Sequence, residues 1–164
     1  MPSAVHELFI DKVEDIIRTR MKAIRRGSDK KAQFASKVHP NRSTKISFDA
    51  SASVSKSKYE PDASFGHDYA QYPGVIIEVA YSQKKRRLGR LANNYIIDSD
   101  ASVRVVVGLD IEYGKESRKA TLSVWRPHLI HTAEDEEDIL EVFEEAVDEV
   151  IRCYLCKPDI LSTF

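Results

Sequence analysis

Three consecutive β-branched residues, Val75-Ile76-Ile77, stand inside an apolar run from Gly74 to Tyr81, bounded by Pro73 on one side and a lysine- and arginine-rich segment on the other. A strand with one wet face alternates apolar and polar side chains, and this one does not. The pattern therefore asks for a central strand buried on both faces, which requires packed layers above and below it. One acid, Glu78, interrupts the run. Side chains alternate along a strand, so Glu78, Ala80 and Ser82 share one face and Val79 takes the other.

The flanking sequence supplies the layers. From Ala4 to Arg26, Leu8, Val13, Ile16, Ile17, Met21 and Ile24 recur at three- and four-residue spacing, with Ser3 as a cap and basic residues gathered at the end, which predicts a helix stopped by Gly27. Residues 27–43 read as a polar, basic connection containing Lys30, Lys31, Lys37 and Arg42, open to two readings, a phosphate-tracking segment or a surface loop. Thr44 to Ala50 alternates as a half-buried strand, and across a serine-rich turn it is expected to pair with Tyr59 to Phe65 as a hairpin. Residues 66–73 read as a loop or a short helical turn. Ser82 to Ile97 reads as a helix, with Leu88, Leu91, Ala92, Tyr95 and Ile96 on one face and Lys84, Lys85, Arg86, Arg87 and Arg90 on the other. Val103 to Tyr113 and Ala120 to Trp125 are expected to form a second hairpin, with Trp125 closing its strand against the core. Residues 134–152 have helical apolar spacing and an acidic start, which predicts an amphipathic, acidic C-terminal helix. Ile160, Leu161 and Phe164 follow as an apolar end segment. The expected fold is α/β, a mixed β-sheet flanked by helices, in a single domain over residues 1–164.

Composition decides among broad classes. At 42% hydrophobic and 31% charged residues, the chain belongs with globular proteins rather than disordered ones. No apolar run reaches membrane-spanning length and the first residues lack a secretory core, so the expectation is an intracellular protein, nuclear or cytoplasmic. Cys153 and Cys156 have no second pair to complete a zinc site and read as packing residues. The net charge of −1 conceals an asymmetry. Residues 134–164 hold 11 acids and 2 bases, leaving 15 acids and 23 bases in residues 1–133. A basic body favours a polyanionic partner, because its cations displace condensed counterions.

The chemistry concentrates between Pro61 and Tyr95. Asp62 follows Pro61, and Glu78 comes sixteen positions later on the buried strand. Two carboxylates on neighbouring strands, backed by cations, suit a hard divalent ion and a phosphate. The bland alternative is a pair of ordinary strand-end acids.

Pro61-Asp62, the strand element Glu78-Val79-Ala80-Tyr81-Ser82, the helix ending in Tyr95 and the strand Val103 to Val107 together resemble the PD-(D/E)XK nuclease-like superfamily, in particular the restriction-endonuclease-like proteins of bacteria and fungi. The resemblance covers residues 44–127 and departs at one position: the family's lysine, two residues after the glutamate, is Ala80. It implies a restriction-endonuclease-like core in which Asp62 and Glu78 bind Mg²⁺ or Mn²⁺, Glu14 on the first helix is a further metal-ligand candidate, and Gln83 and Lys85 join the catalytic set in place of the lysine. It also implies nucleic acid, DNA first, as partner, met by Lys84, Lys85, Arg86, Arg87 and Arg90. Two other readings stand beside the nuclease: a non-catalytic nuclease fold that binds nucleic acid or protein, and an interaction module working through the acidic helix.

Overall fold

The computed structural model describes residues 4–48, 57–81, 85–111, 119–131 and 138–152. Helices α1 (Ala4–Arg25) and α2 (Lys30–Ser36) come first, followed by strands β1 (Val38–Pro40), β2 (Ile46–Phe48), β3 (Ser57–Tyr59), β4 (Ala63–His67) and β5 (Val75–Tyr81). Helix α3 (Lys85–Asp98) leads into β6 (Val105–Ile111), β7 (Lys119–His131) and β8 (Asp138–Arg152). Six strands make one sheet in the order β1-β4-β5-β6-β7-β8, and β2 and β3 make a separate two-stranded ribbon. Only β5 and β6 run parallel, with Val75 beside Val105 through Tyr81 beside Ile111. A parallel pair needs a crossover, and α3 provides it. The result is a mixed α/β fold.

Strand β5 is covered on both sides, as its sequence requires. Ile77 and Val79 join Ala63, Phe65, Leu109 and Ile111 under Phe9 and Ile10 of α1. Ile76 and Ala80 face the opposite way, beneath Leu88, Ala92, Tyr95 and Ile96 of α3 and beside Ile46 and Phe48 of the ribbon. The α3 face follows the i, i+4, i+7, i+8 spacing legible in the sequence. Trp125 fills the same layer from the middle of β7, where Gly108 leaves it room: a Cβ at Gly108 would stand 2.7 Å from the indole. Trp125 thus packs against the core as expected, but its strand continues six residues beyond it, since β7 ends at His131.

Three elements differ from the sequence expectation. The basic connection of residues 27–43 contains α2, capped by Asp29 whose side chain accepts from the Ala32 N–H, and β1, which pairs with β4. Ala32 and Ala35 bury a small apolar patch there, too short a signal to stand out among lysines. The first hairpin closes on Tyr59, with Ile46 opposite Tyr59 and Phe48 opposite Ser57, whereas Ala63 onward belongs to the large sheet. Asp62 consequently stands at the entrance of β4 rather than within a hairpin.

The third difference is the acidic C-terminal helix expected over residues 134–152. Residues 138–152 are strand β8, paired antiparallel with β7 from His131 beside Asp138 to Lys119 beside Arg152, with a bulge near Val124. The local spacing of Ile139, Phe143 and Val150 is helical. A thirteen-residue strand with an open edge nevertheless supplies a ladder of backbone partners, and Val142, Val147, Val150 and the isoleucines tolerate extended backbone well.

No helix among the described residues is long and apolar enough to cross a membrane. The expectations for Cys153, Cys156 and residues 158–164 lie outside the described residues.

Candidate functional site

The antiparallel register of β4 and β5 sets Ala63 beside Ile77, and one step further it brings Asp62 across from Glu78. Pro61 is fully buried at this entrance. Past the end of the β4 ladder, the Asp62 side chain takes over as partner for β5: its Oδ2 accepts the Val79 N–H at 2.7 Å. Its Oδ1 lies 3.4 Å from Nε2 of His6, a buried residue in the first turn of α1.

Glu78 points toward α3, as strand alternation requires, and is 9% exposed. The Tyr95 hydroxyl donates to its Oε1 at 2.6 Å. Burial pushes the Glu78 carboxyl up to about 8, against the pull of the Tyr95 hydrogen bond; the charge of Asp62 and a hydrogen bond with it push the same way as burial, and the Arg87 charge opposes them. Glu78 therefore keeps its proton at neutral pH. Tyr95 is itself held far above the ordinary phenol range, by burial first and then by Glu78. Its ring leans on Tyr59 at 5.0 Å, and the Tyr59 hydroxyl donates to Asp98 Oδ2 at 2.8 Å, so the hydroxyl that grips Glu78 is set by an aromatic layer anchored at the far end of α3.

The sequence candidates divide accordingly. Asp62 and Glu78 are together. Arg87, exposed in the first turn of α3, is a basic residue of that helix whose charge reaches Glu78. Arg90 is exposed on the same helix. Gln83 and Lys84 lie outside the described residues, as do the side chains of Lys85 and Arg86. Glu14 is not at the pair: it is buried and bonded to Arg18 at 2.6 Å, eight residues along α1 from His6, about 12 Å of helix. Ala80, two residues after Glu78, is buried in the α3 layer.

Two groups escaped the sequence reading. His6 falls in register with Ile10, Val13 and Ile17, and a polar residue on an apolar stripe is the signal that marks it. Tyr95 was legible as a core residue of α3, but nothing local indicates that its hydroxyl ends on Glu78.

Two oxygen donors side by side, with the Glu78 proton held mainly by burial, fit a hard divalent cation, which would replace that proton and keep several waters. Asp62 and Glu78 would hold it. Among the described residues, no three His, Cys, Asp or Glu side chains converge as a metal-binding group. The arrangement is thus two-carboxylate chemistry with His6 and Arg87 at its margins. Comparison with family models, curated proteins and solved structures gives no significant match to this chain.

Proposed function

We propose that the chain is a metal-dependent nuclease-like domain with a restriction-endonuclease-like core, acting on phosphodiester bonds of nucleic acid. The observation that carries this reading is the Asp62–Glu78 pair, two carboxyls from adjacent antiparallel strands, one of them raised to about 8. The strand order supports it as well, because the acid-bearing strands β4 and β5 are followed by a crossover helix and a parallel strand. Mg²⁺ or Mn²⁺ bound by Asp62 and Glu78 would supply Lewis acidity to a phosphate and acidify a water. The remaining work falls to the chain. Val79 N–H and His6 orient Asp62, Tyr95 orients Glu78, and Arg87 offers positive charge where negative charge grows on the phosphate. Lys84, Lys85, Arg86 and Arg90 add positive charge in the sequence at and before the start of α3, suited to a DNA backbone. A nucleic-acid partner places this work inside the cell, in nucleus or cytoplasm.

A second reading rests on Ala80. Its methyl is buried where an ammonium would stand beside the reacting water, which favours a nuclease fold kept for binding alone.

Cleavage of plasmid and single-stranded DNA with Mg²⁺ or Mn²⁺ separates the two. Metal-dependent cutting lost by at least 100-fold in both Asp62→Asn and Glu78→Gln is the result expected of the enzyme. No cutting by a folded wild-type chain that still binds DNA establishes the binding reading instead.

A further inference from the structure

A second cluster of chemistry lies beside the middle of β4. The C-terminal half of α1 overhangs β1 and leaves a cleft of about 410 Å³. Arg18, Lys22, Arg25 and Arg42 line it, and Met21, Val38, Pro40 and Phe65 form its apolar part, with no acid among the lining residues. Four like charges around one cavity raise its energy unless an anion enters. Arg25 is fixed in place by donating to the Ala35 and Val38 carbonyls. Arg18 spends one nitrogen on Glu14, while its Nε is buried with no hydrogen-bond partner. A cleft lined by Arg18, Lys22, Arg25 and Arg42, with no acid among its lining residues, suits an oxyanion.

The same sheet face continues into an aromatic platform. Val38, which lines the cleft, pairs laterally with His67. Phe34 stacks on His67 at 4.6 Å with the rings 21° apart, and Tyr69 stands 5.6 Å from the same imidazole. Lys37 lies 4.3 Å over the Tyr69 ring, and Asp68, the nearby acid, is paired with His39 at 3.2 Å. Phe34 and Tyr69, each beside the His67 ring, are 61% and 79% exposed, an unfavourable placement for large rings.

We infer that this end of the molecule binds a single-stranded nucleic acid segment, its phosphate in the Arg18, Lys22, Arg25 and Arg42 cleft and a base on the Phe34 and Tyr69 platform. Phosphate-seeking cations beside exposed aromatic faces are the two components of sequence-tolerant single-strand binding. The inference rests on the nucleic-acid reading above and names the form of the substrate. Phe65 lies three strand residues, about 10 Å, from Asp62, but on the α1 face of the sheet, whereas Glu78 points to α3, so the cleft is a binding site separate from the carboxylate pair.

The test is fluorescence anisotropy with a labelled oligothymidylate in EDTA, over a salt series, with an unlabelled duplex, a mononucleotide and inorganic phosphate as competitors. Lys22→Gln combined with Arg42→Asn is expected to weaken binding by about 10-fold and to flatten the salt dependence by roughly 1 to 1.5 in slope. Phe34→Ala combined with Tyr69→Ala is expected to weaken it by about 10-fold with the slope unchanged. These side chains are exposed, and asparagine tolerates the left-handed backbone at residue 42, where φ is 54°. Unchanged affinity in either double variant overturns the proposal, as does equal competition by inorganic phosphate or by duplex. EDTA removes cleavage from the measurement, so an inactive carboxylate pair leaves this result readable by itself.

Discussion

Glu78 is the residue on which most of the site's chemistry turns. Its carboxyl lies near 8 in the folded chain and at about 4.3 in an unfolded one. Between those values the folded state holds a proton that the unfolded state has released, so the stability tied to this group is complete below about 4.3 and drains away as pH rises through 8. The loss amounts to a few kcal/mol. Glu78→Gln keeps the Tyr95 contact and removes the titration. Denaturation curves from pH 4 to 8.5 are therefore expected to show the difference between variant and wild type shifting steadily in the variant's favour, by a few kcal/mol over the interval. Parallel pH dependences would mean that Glu78 titrates as an ordinary surface acid. Saturating Mg²⁺ is expected to shrink the wild-type loss and leave the variant unmoved.

At the scale of elements, the contact between β6 and β7 is set by one missing side chain. Gly108 sits under Trp125, with the indole 2.7 Å and Leu88 3.2 Å from where a Cβ would stand. Neither neighbour can move freely: the indole N–H donates to Glu144 on β8 at 2.7 Å, and Leu88 is buried in α3. Gly108→Ala is expected to cost about 1 to 3 kcal/mol by overpacking. Trp125 is the chain's single tryptophan, so the same variant is expected to shift its fluorescence, and an unchanged emission maximum together with unchanged stability would count against this packing. The element also shows where local patterns mislead. Residues 138–152 look helical by spacing, but a helix there would leave thirteen residues of β7 unpaired along one edge.

At the scale of the whole molecule, β8 closes the sheet on one side and β1, only three residues long, closes it on the other. A chain ending at His131 would expose the β7 edge and remove Glu144 from Trp125. Because β8 is itself an open edge, the truncation exchanges one edge for another and is expected to act through packing: loss of the β8 ladder and of the Glu144 partner lowers the denaturation midpoint and shifts Trp125 fluorescence. An unchanged midpoint and emission maximum would show that β8 contributes little to the sheet. The carboxylate pair lies at the entrance of β4, and the cationic cleft lies beside Phe65 at its middle.

The sequence by itself determined what short-range chemistry can encode. Val75-Ile76-Ile77 required a strand covered twice, the spacing of Leu88, Ala92, Tyr95 and Ile96 required a helix with one buried face, Glu78 stood out as an acid inside an apolar run, and Asp62 as the acid after Pro61. Only the tertiary structure decided the rest, because the deciding partners are distant in the chain. Asp62 and Glu78 meet through strand register, and His6 reaches Asp62 from 56 residues away. The Tyr95 hydroxyl lies one crossover from Glu78, and Glu144 lies in a strand because β8 pairs the long β7 edge, which a helix over the same residues would leave open. Periodicity reports which faces want burial, whereas the pairing of edges and the meeting of charges follow from what each face is buried against.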